Sequence, residues 1–140
     1  MLAWLHNLSK CVVNKNVTLS TGGTITVTLE TGTTDRTVTI NSFTNSNTAS
    51  GTYQVQAGDT SSDLTVKTIA LSNGTLKDNA GNDMSSFNIG TNLAAGHAII
   101  IDTTAPTITS VTSTTPNGTY GIGGKINITI NFSENVTLTS

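Results

Sequence analysis

Apolar residues alternate with Thr, Asn or Lys along most of this chain, and that period of two predicts strands. The clearest runs are Thr24 to Glu30, with Ile25, Val27 and Leu29 facing inward, and Lys125 to Phe132, with Ile126, Ile128, Ile130 and Phe132 facing inward. Further strands are predicted at Arg36 to Ile40, Thr52 to Gln56, Leu64 to Leu71, Ala98 to Ile101 and Thr107 to Val111, with a short one at Val17 to Leu19. Turn signals separate them, among them Thr21-Gly22-Gly23, Ala57-Gly58-Asp59, Ser72-Asn73-Gly74 and Asn117-Gly118. Short strands at this spacing imply an all-β sandwich. Two segments break the pattern. Asn79 to Gly96 reads as a long polar loop anchored by Phe87 or Ile89. Met1 to Lys10 spaces Leu2, Leu5 and Leu8 by three, which suits a turn or two of helix, either docked through Trp4 or frayed.

Composition sharpens the picture. Charged residues make up 10% of the 140 residues, well under the roughly 25% of ordinary soluble domains. Thr, Asn and Ser take their place, and Thr alone supplies 29 residues. A β-branched hydroxyl residue suits the solvated face of a pleated sheet, so the surface is β-rich and weakly charged. The net charge of −2 offers no basic patch for nucleic acid. The single cysteine, Cys11, forms no intrachain disulfide; it reads as a small buried strand residue, with an intermolecular bridge as the alternative. No stretch approaches the ~20 apolar residues of a membrane-spanning helix. Met1 to Leu5 lacks the basic start of a signal peptide, so the export route is not legible.

The end of the chain repeats its beginning. Ser133-Glu134-Asn135-Val136-Thr137-Leu138-Thr139 matches Asn14-Lys15-Asn16-Val17-Thr18-Leu19-Ser20, displaced by 119 positions. At the same offset Cys11 faces Ile130 and Val13 faces Phe132, whereas Met1 to Lys10 bears no likeness to Lys125 to Thr129. A displacement near the length of one β-sandwich reads as slightly more than one period of a tandem array.

Four segments then carry a family resemblance: Tyr53 to Thr60 (YQVQAGDT), Leu71 to Asn82 (LSNGTLKDNAGN), Ile101 to Ile108 (IDTTAPTI) and Asn131 to Val136 (NFSENV). In that order they resemble the immunoglobulin-like and cadherin-like tandem repeats of large bacterial surface adhesins. The resemblance implies an immunoglobulin-like β-sandwich in an odd phase. Residues 1–13 form an atypical start, 14–102 resemble the later strands of one domain, and 103–140 resemble the first two strands of the next. Asp102 to Pro106 spans at most about 18 Å when extended, and Pro106 stiffens it. Such a link cannot retrace a sandwich of roughly 35 Å. The C-terminal hairpin is therefore expected to project forward and to fill the vacant place in an identical subunit through Ile108, Val111, Ile126, Ile128, Ile130, Phe132, Val136 and Leu138.

Candidate chemistry is sparse. His6 and His97 are the only histidines, and no nucleophile or Cys/His metal pattern surrounds them, so an enzyme is not expected. Hard oxygen ligands for Ca²⁺ are available at Asp78, Asn82 and Asp83 in the Gly/Asn-rich loop, Asp102 at the junction, Glu134 in the hairpin, and Asp59 and Asp63 in another loop. Turn carboxylates and Asx caps are the other reading of the same residues. Seven Asn-x-Ser/Thr sequons follow from composition. The expectation is an extracellular structural module that polymerises head to tail with identical subunits, or neighbouring repeats, by donating residues 107–140; the alternative is a calcium-stabilised stalk repeat, or a fragment, of a bacterial surface adhesin.

Overall fold

The alternation in the first half of the chain builds one long strand, β1 (Cys11–Glu30). A computed structural model describes residues 11–139, with side chains from residue 15 on; the expectations for Met1 to Lys10 and for the side chain of Cys11 lie outside this range. Along β1 the residues Val17, Leu19, Ile25, Val27 and Leu29 are buried, and Thr18, Thr24, Thr26 and Thr28 between them are half-buried. The turn expected at Thr21-Gly22-Gly23 is absent. It is replaced by a slip in register between Leu19 and Thr24, where Gly22 adopts φ +76° and the strand continues. A Cβ on Gly23 would lie 2.7 Å from both Leu19 Cδ1 and the Ser20 carbonyl oxygen, so glycine alone fits this bulge.

The strand stays whole because both halves find partners on the same two sides. β2 (Arg36–Ala49) runs antiparallel along one edge, from Leu29↔Arg36 to Cys11↔Ala49. On the other edge β3 (Thr65–Asn73) pairs with Thr24 to Glu30, and β4 (Leu76–Asp78) pairs with Val17 to Leu19. The result is a four-stranded antiparallel sheet. The β2 strand runs nine residues beyond the predicted Ile40 through a polar stretch that carries no apolar alternation. Asn45 makes this possible. It adopts φ 48°, a conformation Asn tolerates better than most residues, its N–H donates to Thr18 Oγ1 (3.0 Å), and its Oδ1 accepts from Asn16 Nδ2 (3.1 Å) and Asn79 Nδ2 (2.9 Å).

One face of this sheet is covered by irregular chain. Tyr53, Leu64 and Ile101 are buried in a single cluster with Val17, Leu19, Ile25, Val27, Leu29, Val38, Ile40, Val66 and Leu76. The strands predicted at Thr52 to Gln56 and Ala98 to Ile101 do not form ladders; the second is reduced to one bridge, Ser61↔Ile101. Side chains were legible there, but partners were not. The predicted long loop is present and is anchored by Met84, Phe87, Ile89 and Leu93 together, not by one residue. Asn92 pins it to β3, with Oδ1 accepting from Val66 N–H (2.8 Å) and Nδ2 donating to the Val66 carbonyl (2.7 Å).

Two compact units result, the first running to Thr103 and the second beginning at Thr104. The second contains β5 (Ile108–Thr112) and β6 (Thr129–Phe132), an antiparallel pair with Ile108↔Phe132, Ser110↔Asn131 and Val111↔Ile130. The chain is thus all-β with antiparallel sheets. Among the described residues no helix is long and apolar enough to cross a membrane.

Candidate functional site

The second unit has the patterning of a half-buried sheet and none of the burial. Ile108, Val111, Ile126, Ile128, Ile130 and Phe132 are all exposed. The paired positions Ile108/Phe132 and Val111/Ile130 are apolar, whereas their neighbours Ser110 and Asn131 are polar. The polar groups are stitched together: Asn131 Nδ2 donates to Ser110 Oγ (2.9 Å), and Thr109 Oγ1 donates to the Asn131 carbonyl (3.1 Å). The inward-facing prediction for Ile126, Ile128, Ile130 and Phe132 is therefore corrected within one chain, because a two-stranded hairpin has no second layer to face. Val136 and Leu138 follow the same pattern, at 44% and 98% exposed.

The first unit carries an apolar cleft, partly open to solvent. Val17, Ile25, Val27 and Ile40 form its floor, Phe43, Met84 and Phe87 stand among its walls, and Thr48 and Ala49 lie at the end of β2. Nearly all of this lining is apolar. Phe43 and Met84 sit in stretches without alternation, so no sequence signal singled them out.

The carboxylates selected from the sequence have separate local duties. Asp59 is buried; its Oδ1 accepts from Arg36 Nε (2.8 Å), and its Oδ2 accepts from the Tyr53 hydroxyl and from Gln56 N–H (2.9 Å). The Tyr53 hydrogen bond, followed by Gln56 N–H and Arg36, holds the Asp59 carboxyl below its ordinary value. Burial and the same Asp59 bond push the Tyr53 phenol up to about 12. Asp78 accepts from Ala80 N–H, Asn82 N–H and Asn82 Nδ2 and pairs with Lys15 at 3.7 Å; the Asn82 side chain is the main reason its pKa is lowered. Asp83 pairs with Lys77 (2.7 Å), and Asp63 Oδ1 accepts from Ile99 N–H (3.3 Å). Asp102 and Glu134 are exposed. Among the described residues no three acidic, His or Cys side chains converge into a metal-holding group. His97 is exposed, and its N–H donates to the Leu93 carbonyl.

Thr103 links this network to the end of the first unit. Its Oγ1 donates to the Asp59 carbonyl (2.9 Å) and accepts from Gly58 N–H (3.1 Å). The turn before Asp59 and the last residue of the unit are thereby fixed to each other. Compared with protein-family models, curated proteins and solved structures, the chain matches none.

Proposed function

We propose that this chain is an extracellular structural module of immunoglobulin-like type that assembles head to tail, each copy donating its C-terminal strands to the next. The observation that carries the reading is the apolar hairpin of the second unit, exposed at every apolar position, in the same chain as an open apolar cleft in the first. Solvent-exposed apolar faces of this kind favour association, and an unpaired strand edge supplies the hydrogen-bonding template. Burying each Ile or Phe of the hairpin in a neighbour stabilises the contact by about 1.5 to 3 kcal/mol. A contact between two different surfaces of one chain does not close on itself, so it propagates into a filament.

Light scattering, size-exclusion chromatography and negative-stain microscopy of the purified chain test the reading. Filaments are expected, and removing residues 104–140 is expected to abolish them. A compact monomer would overturn it, and a monomer whose melting temperature rises with Ca²⁺ would favour the stalk repeat instead.

A further inference from the structure

The assembly reading leaves open which donated strand enters and where it lands. The internal repeat and the strand registers answer both. The displacement of 119 positions places Ile130 on Cys11, Asn131 on Val12 and Phe132 on Val13. In the hairpin those three residues are the partners of Val111, Ser110 and Ile108. The start of β1 is therefore the sequence counterpart of β6, and β6 is the strand with which β5 pairs.

That stretch of β1 has an edge to offer. Val17 is paired on both sides, with Ser46 of β2 and Asp78 of β4. Among the described residues, β1 before Val17 is paired on its β2 side alone, through Cys11↔Ala49 and Val12↔Thr48. A strand added there continues the row begun by β4 and, like β4, runs antiparallel to β1. Thr48 and Ala49, the β2 partners of Val12 and Cys11 on the other side of β1, line the cleft.

We infer that β5 is the donated strand, leaving β6 and pairing with Cys11 to Val13 of a second copy in the register Ile108↔Val13, Ser110↔Val12 and Val111↔Cys11. The inference rests on the assembly reading and narrows it. Exchange is favourable in direction: β6 holds β5 through four residues in a two-stranded pair, an arrangement of marginal stability, whereas at Cys11 and Val12 the added strand joins one already paired with β2 and makes a third. Main-chain pairing supplies the attachment, and the apolar positions Ile108 and Val111 supply the register.

The native cysteine makes the register measurable. Directly opposed residues of an antiparallel pair come within disulfide reach. In the full-length chain carrying Val111→Cys, a mild oxidant such as oxidised glutathione is expected to join Cys11 of one copy to position 111 of the next. The product on a non-reducing gel is a ladder that collapses with reductant. The unsubstituted chain, with one thiol, stops at a dimer. Thr112→Cys, one position out of register, should give no ladder, nor should Val111→Cys combined with Cys11→Ser. Ile108→Cys with Val13→Cys in the Cys11→Ser background repeats the test at the second pair, in case the first substitution disturbs folding. Assembly by light scattering with no ladder from either pair would overturn the register and leave the assembly reading standing. Absence of assembly in the unsubstituted chain would overturn both. A single oxidised monomer, with Cys11 bonded within its own chain, would show that β5 serves its own copy and overturn donation.

Discussion

The segment Asn-Val-Thr-Leu occurs twice in this protein and meets opposite fates. At Asn16 to Leu19 the two apolar side chains are buried, Val17 at 8% and Leu19 at 1% exposure; at Asn135 to Leu138 they stand at 44% and 98%. Four identical residues, with the same propensities and the same alternation, are core in one place and surface in the other. The difference lies in what surrounds them. The first copy is flanked by β2 and β4 and roofed by Met84, Phe87 and the rest of the anchored loop. The second follows a two-stranded hairpin in which no residue is buried. A strand's period states which side chains want a core, and only neighbouring chain provides one.

The largest expected effect sets the two leucines directly against each other. Leu19→Ala is expected to cost about 2 to 5 kcal/mol of unfolding free energy through lost burial and the cavity left behind, whereas Leu138→Ala should stay within about 0.5 kcal/mol. Urea denaturation of both variants measures this. Similar shifts would mean that the second copy is as buried in solution as the first, which would be expected only within assemblies and should then disappear on dilution.

Assembly separates the two regions in a second way. Ile108→Asp places a charge on the hairpin's apolar face and is expected to eliminate filaments while leaving the melting temperature of the first unit unchanged. Thr109→Asp, whose side chain meets the Asn131 carbonyl instead, should leave filaments intact. Electron microscopy and a melting curve on each variant check both halves of the statement. Equal loss of filaments in the two would remove the one-sidedness of the hairpin from the account.

A smaller effect is expected at the buried network of the first unit, which has no equivalent in the second. Asp59→Asn removes the charge that pairs with Arg36 and accepts from Tyr53 and Gln56. The melting temperature should fall by roughly 10 °C, and Tyr53→Phe should fall less. The pH dependence has a definite sign. Because the folded-state pKa of Asp59 is lowered, its contribution is present above the ordinary carboxylate value near 4 and is lost as pH falls further. Because the Tyr53 pKa is raised to about 12, its contribution is intact below pH ~10 and declines as pH rises through that interval. Calorimetry across pH 2 to 5, with and without Asp59→Asn, should show a smaller acid loss in the variant, the remainder coming from other carboxylates with lowered pKa such as Asp78.

The smallest effect converts the first copy into the second at its one charged difference. Lys15→Glu reproduces Glu134 and places a carboxylate near Asp78, where Lys15 Nζ now lies at 3.7 Å. The site is exposed on the lysine side, so the expected fall in melting temperature is roughly 2 °C, and added salt should diminish it. A larger loss that Ca²⁺ reverses would point to a cation held between the two carboxylates, as the acidic loop suggested.

The sequence alone determined the elements whose two faces differ. The alternation at Ile25, Val27 and Leu29 and at Val38 and Ile40 placed the core, and of the strand read from Lys125 to Phe132 only Thr129 to Phe132 forms a ladder. What the sequence could not determine depends on contacts distant along the chain. The glycines at 22 and 23 read as a turn, yet β2, β3 and β4 hold both sides of them in one strand. The polar stretch after Ile40 carried no period, yet Asn45 and its three partners keep it in the sheet. Asp59 read as a loop carboxylate, yet Arg36 and Tyr53 converge on it from positions 23 and 6 residues away. Periodicity is local and is written in the order of residues; partners, and the burial they confer, are settled only when distant segments meet.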